Sequence, residues 1–189
     1  MVRYPIGIQT FSEIRTKNYL YVDKTSFVYE LANNRKYVFL SRPRRFGKSL
    51  LVSTFDAYFR GKKELFKGLA IEEMEKEWTE YPVMHFSLAT AKLGTVEDLN
   101  AQISLQLRWV EEEYNIESTG EQNITARFQN LAKELYFKTG KQVVVLIDEY
   151  DAPLLNVLHD PERLEPMRAA LQAFYSPLKD LDPYLRFVF

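Results

Sequence analysis

Val143, Val144, Val145, Leu146 and Ile147 form an unbroken apolar run that stops at two acids, Asp148 and Glu149. A strand apolar on both faces must be covered on both sides, as an interior strand of a parallel sheet is. Acids at the C-terminal end of such a strand stand where open parallel sheets hold their ligands. At five residues the run is also the longest apolar stretch in the chain, far short of the ~20 residues a membrane-spanning helix needs. No membrane partner is therefore expected. The first thirty residues hold Arg3, Glu13, Arg15, Lys17, Asp23 and Lys24 and lack the apolar stretch of a secretory signal. The absence of cysteine excludes disulfides, thiolate metal sites and a thiol nucleophile, and it agrees with the cytoplasmic location expected here.

The remaining sequence alternates between short β-rich runs and amphipathic helical stretches, which predicts α/β architecture around a parallel sheet. At 189 residues the chain has room for one sizeable core. Residues 4–23 read as extended chain and turns, followed by a short helix over 24–33 and a first core strand over 36–41. Leu51, Phe55 and Phe59 share one helix face, with Gly61 as its stop. Short charged helices and a loop fill 62–80, and 82–88 reads as a strand. Val96, Leu99, Ile103, Leu107, Val110 and Tyr114 step by three or four behind Thr95 and Asp98, which are spaced as a capping pair. Ile124, Phe128, Leu131 and Leu135 define another helix closed by Gly140. A helix over 161–178 leads to a last strand, 184–189. No turn or cap follows that strand, so the fold is expected to be truncated there.

Between the strand at 36–41 and the helix after it stand Arg42, Pro43, Arg44, Arg45, Phe46, Gly47, Lys48 and Ser49. Strand, loop, Gly-Lys-Ser, helix is the setting of a phosphate-binding loop (Walker A). The backbone N–H groups of such a loop, together with the helix N-terminus, surround a phosphate. Gly47 would let the backbone approach closely, Lys48 would reach the β- and γ-phosphates, and the Ser49 hydroxyl would coordinate Mg²⁺. The full pattern has a second glycine where this chain has Arg42, and arginine disfavours the positive φ a glycine could supply.

Asp148 and Glu149 complete the constellation as a Walker B pair. Asp148 would hold Mg²⁺ through a water, and Glu149 would orient or deprotonate the attacking water. Asp148 lies 100 positions after Lys48, with a further strand between them. That insertion, with a glutamate directly after the strand aspartate, points to the ATPase (ASCE) branch of the P-loop NTPases, a three-layer sandwich around a mostly parallel sheet. In that branch the next strand, here 184–189, carries a polar sensor near its end, and the chain stops before one appears.

Four segments carry a resemblance to a known family. They are Tyr21-Val22-Asp23-Lys24-Thr25, Leu40 and Ser41 with the whole of 42–49, Tyr81-Pro82-Val83, and Leu146-Ile147-Asp148-Glu149-Tyr150-Asp151-Ala152-Pro153. With them the chain resembles the bacterial AAA-ATPase-like domain family over nearly its whole length, and 42–49 is the most specific part. The resemblance implies a single ATP-binding module over 1–189, with 1–35 as its N-terminal extension. Arginine in place of the first glycine is normal in that family. Its members often continue into a restriction-endonuclease-like domain, which is not expected within these 189 residues. The resemblance leaves room for a homo-oligomer, and for nucleic acid only indirectly, through such a domain or a partner.

Three functional readings compete: an Mg²⁺-dependent ATPase, a nucleotide-responsive switch with negligible hydrolysis, and a nucleic-acid module built on Arg42, Arg44 and Arg45. With 25 basic and 26 acidic residues the chain lacks the excess positive charge of a polyanion binder, which disfavours the third. Any anion must be met by a local basic cluster, and 42–48 supplies one. His85 reads as a packed strand residue, and His159 has no partner ligand for a metal. Asp151 reads as a turn cap before Pro153, and Asp23 as the cap of the helix after it.

Overall fold

The computed structural model describes residues 3–43, 46–89, 94–118 and 120–189. Its sheet has three strands, β1 (Val83–Ser87), β2 (Val143–Asp148) and β3 (Leu185–Val188), paired in the order β1-β2-β3. The Val144 amide donates to the Pro82 carbonyl at 2.9 Å, and the Leu88 amide donates to the Asp148 carbonyl at 3.0 Å. Residue numbers rise together along the two strands, so they are parallel. On the other side of β2 the Phe189 amide donates to the Val145 carbonyl at 2.9 Å. Val143, Val144, Val145 and Leu146 are each 0% exposed, as their apolar run requires of a middle strand.

The strand expected over 36–41 shortens to a single parallel bridge between Tyr37 and Val188. The Val38 amide donates to the Val188 carbonyl at 2.9 Å, and the Val188 amide donates to the Lys36 carbonyl at 2.7 Å. Residues 36–38 thus extend the order to β1-β2-β3-(36–38).

The chain divides into two compact units. The first comprises Met1–Val83, Val144–Leu146 and Arg186–Phe189. It carries α1 (Phe11–Thr16), α2 (Thr25–Asn34), α3 (Lys48–Phe59) and α4 (Ala70–Met74). Its core gathers aromatic rings: Phe55 and Phe59 of α3 each lie 5.0 Å from Phe187, centroid to centroid. Burying one such ring stabilises by about 1.5–3 kcal/mol.

Helix α1 corrects the extended reading of 4–23. Six residues do not hold a helix alone, and this one rests on tertiary contacts. Phe11 and Ile14 are 0% exposed, the Phe11 amide donates to Ser53 Oγ at 2.9 Å, and Arg15 donates to the carbonyls of Leu65 and Lys67. Asp23 does more than cap α2. One carboxylate oxygen accepts the Thr25 amide and hydroxyl at 2.8 and 2.7 Å, and the other accepts the Ala70 amide of α4 at 2.7 Å.

The second unit comprises Met84–Val143 and Ile147–Leu185. It carries α5 (Val96–Glu113), α6 (Ile124–Thr139), α7 (Ala152–Asn156), α8 (Pro161–Tyr175) and α9 (Pro177–Asp180). The predicted capping pair forms: Thr95 Oγ1 accepts the Asp98 amide at 3.1 Å, and the Asp98 carboxylate accepts the Thr95 amide at 3.2 Å. Gly140, at φ +68°, ends α6 in the left-handed conformation that suits glycine. Phe86, Phe128 and Phe174 pack with centroids 5.4–5.7 Å apart.

The helix expected over 161–178 stops at Tyr175. Pro177 has no N–H to give to the Ala173 carbonyl. That carbonyl accepts the Ser176 hydroxyl at 2.9 Å and the Thr125 hydroxyl at 3.2 Å instead.

Candidate functional site

In the first unit, 42–49 lead from the edge segment 36–38 into α3. The helix starts at Lys48, and Gly47 caps it at φ +76°. Residues at this cap position are ordinarily extended, and the left-handed value strains any residue with a side chain. A Cβ at Gly47 would meet nothing within 4 Å, so the backbone angle, not crowding, calls for glycine. The Gly47 carbonyl accepts the Leu51 amide at 3.0 Å, closing the first helical turn.

Lys48 Nζ donates to the Arg42 carbonyl at 2.9 Å. An ammonium has three donors, so this bond does not exhaust it. Arg42 and Pro43 are exposed, Phe46 is 64% exposed, and Ser49 is half-buried in the first turn of α3. Among the described residues, the non-glycine positions with positive φ are Asn18, Trp78, Asn115 and Glu149. Arg42 is not one of them, so replacing the pattern's glycine by arginine strains nothing at that position. Arg44 and Arg45 lie outside the described residues. The first turn of α3 contains no acid, and Gly47 offers no side chain to cap it. An unblocked N-terminus of this kind favours an anion.

In the second unit, β2 ends at the half-buried Asp148, and Asp148 Oδ1 accepts the amide of the next residue, Glu149, at 3.0 Å. Glu149 has φ +54°, a conformation that costs an L-residue about 1–2 kcal/mol. Such strain collects at functional positions. Its carbonyl accepts the Ala152 amide at 3.0 Å at the start of α7. The next carbonyl, that of Tyr150, accepts the Tyr175 hydroxyl from the end of α8 at 3.2 Å. Burial, and after it the Asp151 charge, push the hydroxyls of Tyr175 and Tyr150 above the usual range.

Asp151 occupies the cap position of α7 without a side-chain bond to its amides, so the capping read from sequence is not made. Its backbone carbonyl accepts the Leu155 amide at 3.1 Å, and its charge acts on the two tyrosines. His85 is half-buried in β1 and His159 is exposed. No group of three or more His, Cys, Asp or Glu able to hold a metal ion occurs among the described residues.

Sequence reasoning missed Tyr175 and the left-handed Glu149. Nothing in its spacing sets Tyr175 apart, since it falls inside the helix read over 161–178. Positive φ at a glutamate leaves no mark in sequence.

No helix among the described residues is long and apolar enough to cross a membrane. A protein of Azotobacter chroococcum mcd 1, described as "Uncharacterized protein in vnfD 5'region", is 40% identical over 186 residues. The aligned part is 98% of this chain and 36% of that protein, so the chain spans about a third of the relative's length. No solved structure matches. The sequence profile of the AAA-ATPase-like family, described as "Predicted AAA-ATPase", matches residues 5–189. The loop into α3 and the acids at the end of β2 thus stand in a chain that belongs to the AAA-ATPase-like family, whose description ties it to ATP-related function.

Proposed function

We propose that residues 1–189 act as one ATP-binding module of the P-loop type, in the ASCE branch, and that they hydrolyse ATP with Mg²⁺. The observation that carries this reading is the strand order. Residues 186–189 pair with 144–146 on one side and with 36–38 on the other. All three segments run parallel, so the chain leaves 38 and 146 at the same edge of the sheet. Parallel sheets bind ligands at that edge. From 38 the chain proceeds to the basic loop, and from 146 to Asp148 and Glu149.

In this reading the amides of 42–49 and the N-terminus of α3 enclose the β- and γ-phosphates. Arg42, Pro43, Arg44, Arg45, Phe46, Gly47, Lys48 and Ser49 form the loop. The Lys48 ammonium exchanges the Arg42 carbonyl for phosphate oxygens and neutralises their charge. Mg²⁺ supplies further neutralisation, and because it arrives with phosphate oxygens it needs few protein donors. The Ser49 hydroxyl and the Asp148 carboxylate, the latter through water, fit that need. Glu149 orients a water in line with the γ-phosphorus. The water oxygen bonds to phosphorus as the bridge to ADP breaks, ADP leaves with the electron pair, and the Glu149 carboxylate receives the proton.

Calorimetric titration of ATP, with and without Mg²⁺, tests the site. The parent chain should bind, and Lys48→Ala should weaken binding at least a hundredfold, roughly the loss of one well-placed charge contact on phosphate. Equal affinities for parent and variant would overturn the assignment of the loop.

A further inference from the structure

We propose that Tyr175 is a positioning residue which holds Glu149 in its left-handed conformation, an inference that rests on reading Glu149 as the group that orients water. Local bonds hold the turn after β2. Asp148 Oδ1 accepts the Glu149 amide, and the Glu149 carbonyl accepts the Ala152 amide, both at 3.0 Å. Both bonds lie within the turn and would move with it. The Tyr175 hydroxyl reaches the Tyr150 carbonyl from a residue 25 positions away, at the end of a separate helix.

That carbonyl belongs to the Tyr150–Asp151 peptide, the second after Glu149. Fixing it anchors the chain one residue beyond the glutamate and limits how far the turn can rearrange, and a residue at φ +54° relaxes toward negative φ unless the surrounding chain prevents it. Tyr175 is itself anchored. It is the last residue of α8, and its ring packs against Phe174 at 5.3 Å. The hydroxyl has to be protonated to donate, and burial together with the nearby Asp151 keeps it so. Removing that one oxygen would free the turn and leave the loop that binds phosphate intact.

The experiment pairs Tyr175→Phe with amide hydrogen exchange over 148–155 and with steady-state ATP turnover, in both the parent and a Glu149→Gly background. Loss of one hydrogen bond predicts exchange at Ala152 faster by about fivefold and kcat lower by about fivefold, with KM unchanged. Glycine adopts the left-handed angle unaided, so in the Glu149→Gly background Tyr175→Phe should leave exchange at Ala152 unchanged. Exchange unaffected in the parent background, or equally accelerated in both, would overturn the proposal. So would an unaltered kcat in a parent whose turnover depends on Glu149. If Tyr175→Phe fails to fold with Glu149 present but folds with glycine, the proposal stands; failure in both backgrounds assigns Tyr175 to general stability and ends it. Full turnover by Glu149→Gln would refute the reading of Glu149 itself, and exchange would still report whether Tyr175 holds the turn.

Discussion

The Lys48 ammonium donates to the carbonyl oxygen of Arg42 at 2.9 Å, tying the first turn of α3 to the start of the basic loop six residues earlier. The bond ties Arg42 to the N-terminus of α3, the end of a helix that attracts anions.

Gly47 caps that helix. Gly47→Ala has room for its methyl group, since nothing lies within 4 Å, but it must adopt φ +76°. We expect a loss of about 1–2 kcal/mol of stability, read by urea denaturation, together with weaker ATP binding. Unchanged stability would mean that the left-handed cap is not kept in solution.

Glu149 separates strain from chemistry. Glu149→Gln keeps the side chain's size and the φ of +54°, so stability should stay near that of the parent while ATP turnover falls about a hundredfold or more. Glu149→Gly removes the left-handed penalty, and the greater flexibility of unfolded glycine offsets part of that gain. The net expectation is a melting temperature equal to or above the parent's, with turnover lost. A clear drop in melting temperature would contradict the strain assigned to this residue.

Acid sensitivity should report on Asp23. Burial would raise its pKa, but the Ala70 amide and the Thr25 amide and hydroxyl outweigh burial and hold the carboxyl below the ordinary range. A group with a depressed folded pKa stabilises the fold above its unfolded value, about 3.9, and loses that contribution as pH falls through the folded one. Asp23→Ala should therefore cost about 1–3 kcal/mol at pH 7. The gap to the parent should narrow below about pH 4, as measured by denaturation across pH. A gap constant with pH would show that the charge of Asp23 is irrelevant.

Arg127 and Glu111 form a pair with 11% and 6% exposed side chains and an N···O distance of 2.7 Å. Ser104 Oγ accepts a further bond from Arg127 at 2.6 Å. Arg127→Met alone leaves a buried carboxylate without its partner and should destabilise by about 3–5 kcal/mol. Arg127→Met with Glu111→Leu should recover most of that loss. Thermal unfolding of the two variants checks the expectation, and a double variant no better than the single one would contradict it.

Much of this fold was legible before any coordinates, and the legible parts share a cause. A central strand declares itself because five apolar residues in a row cannot be solvated on either face. The Thr95–Asp98 box, the Gly140 stop and the Gly-Lys-Ser start of α3 are local matters of hydrogen bonds and φ, set by residues within a few positions of one another. Tertiary structure decided the rest. Helix α1 exists because Phe11 and Ile14 find a core and Arg15 finds two carbonyls more than 45 residues away. Tyr37 finds its bridge partner in Val188, far along the chain. Asp23 joins two helices because Ala70 folds against it. Each of these depends on groups distant in sequence, whose meeting no local pattern encodes and only the packed chain brings about.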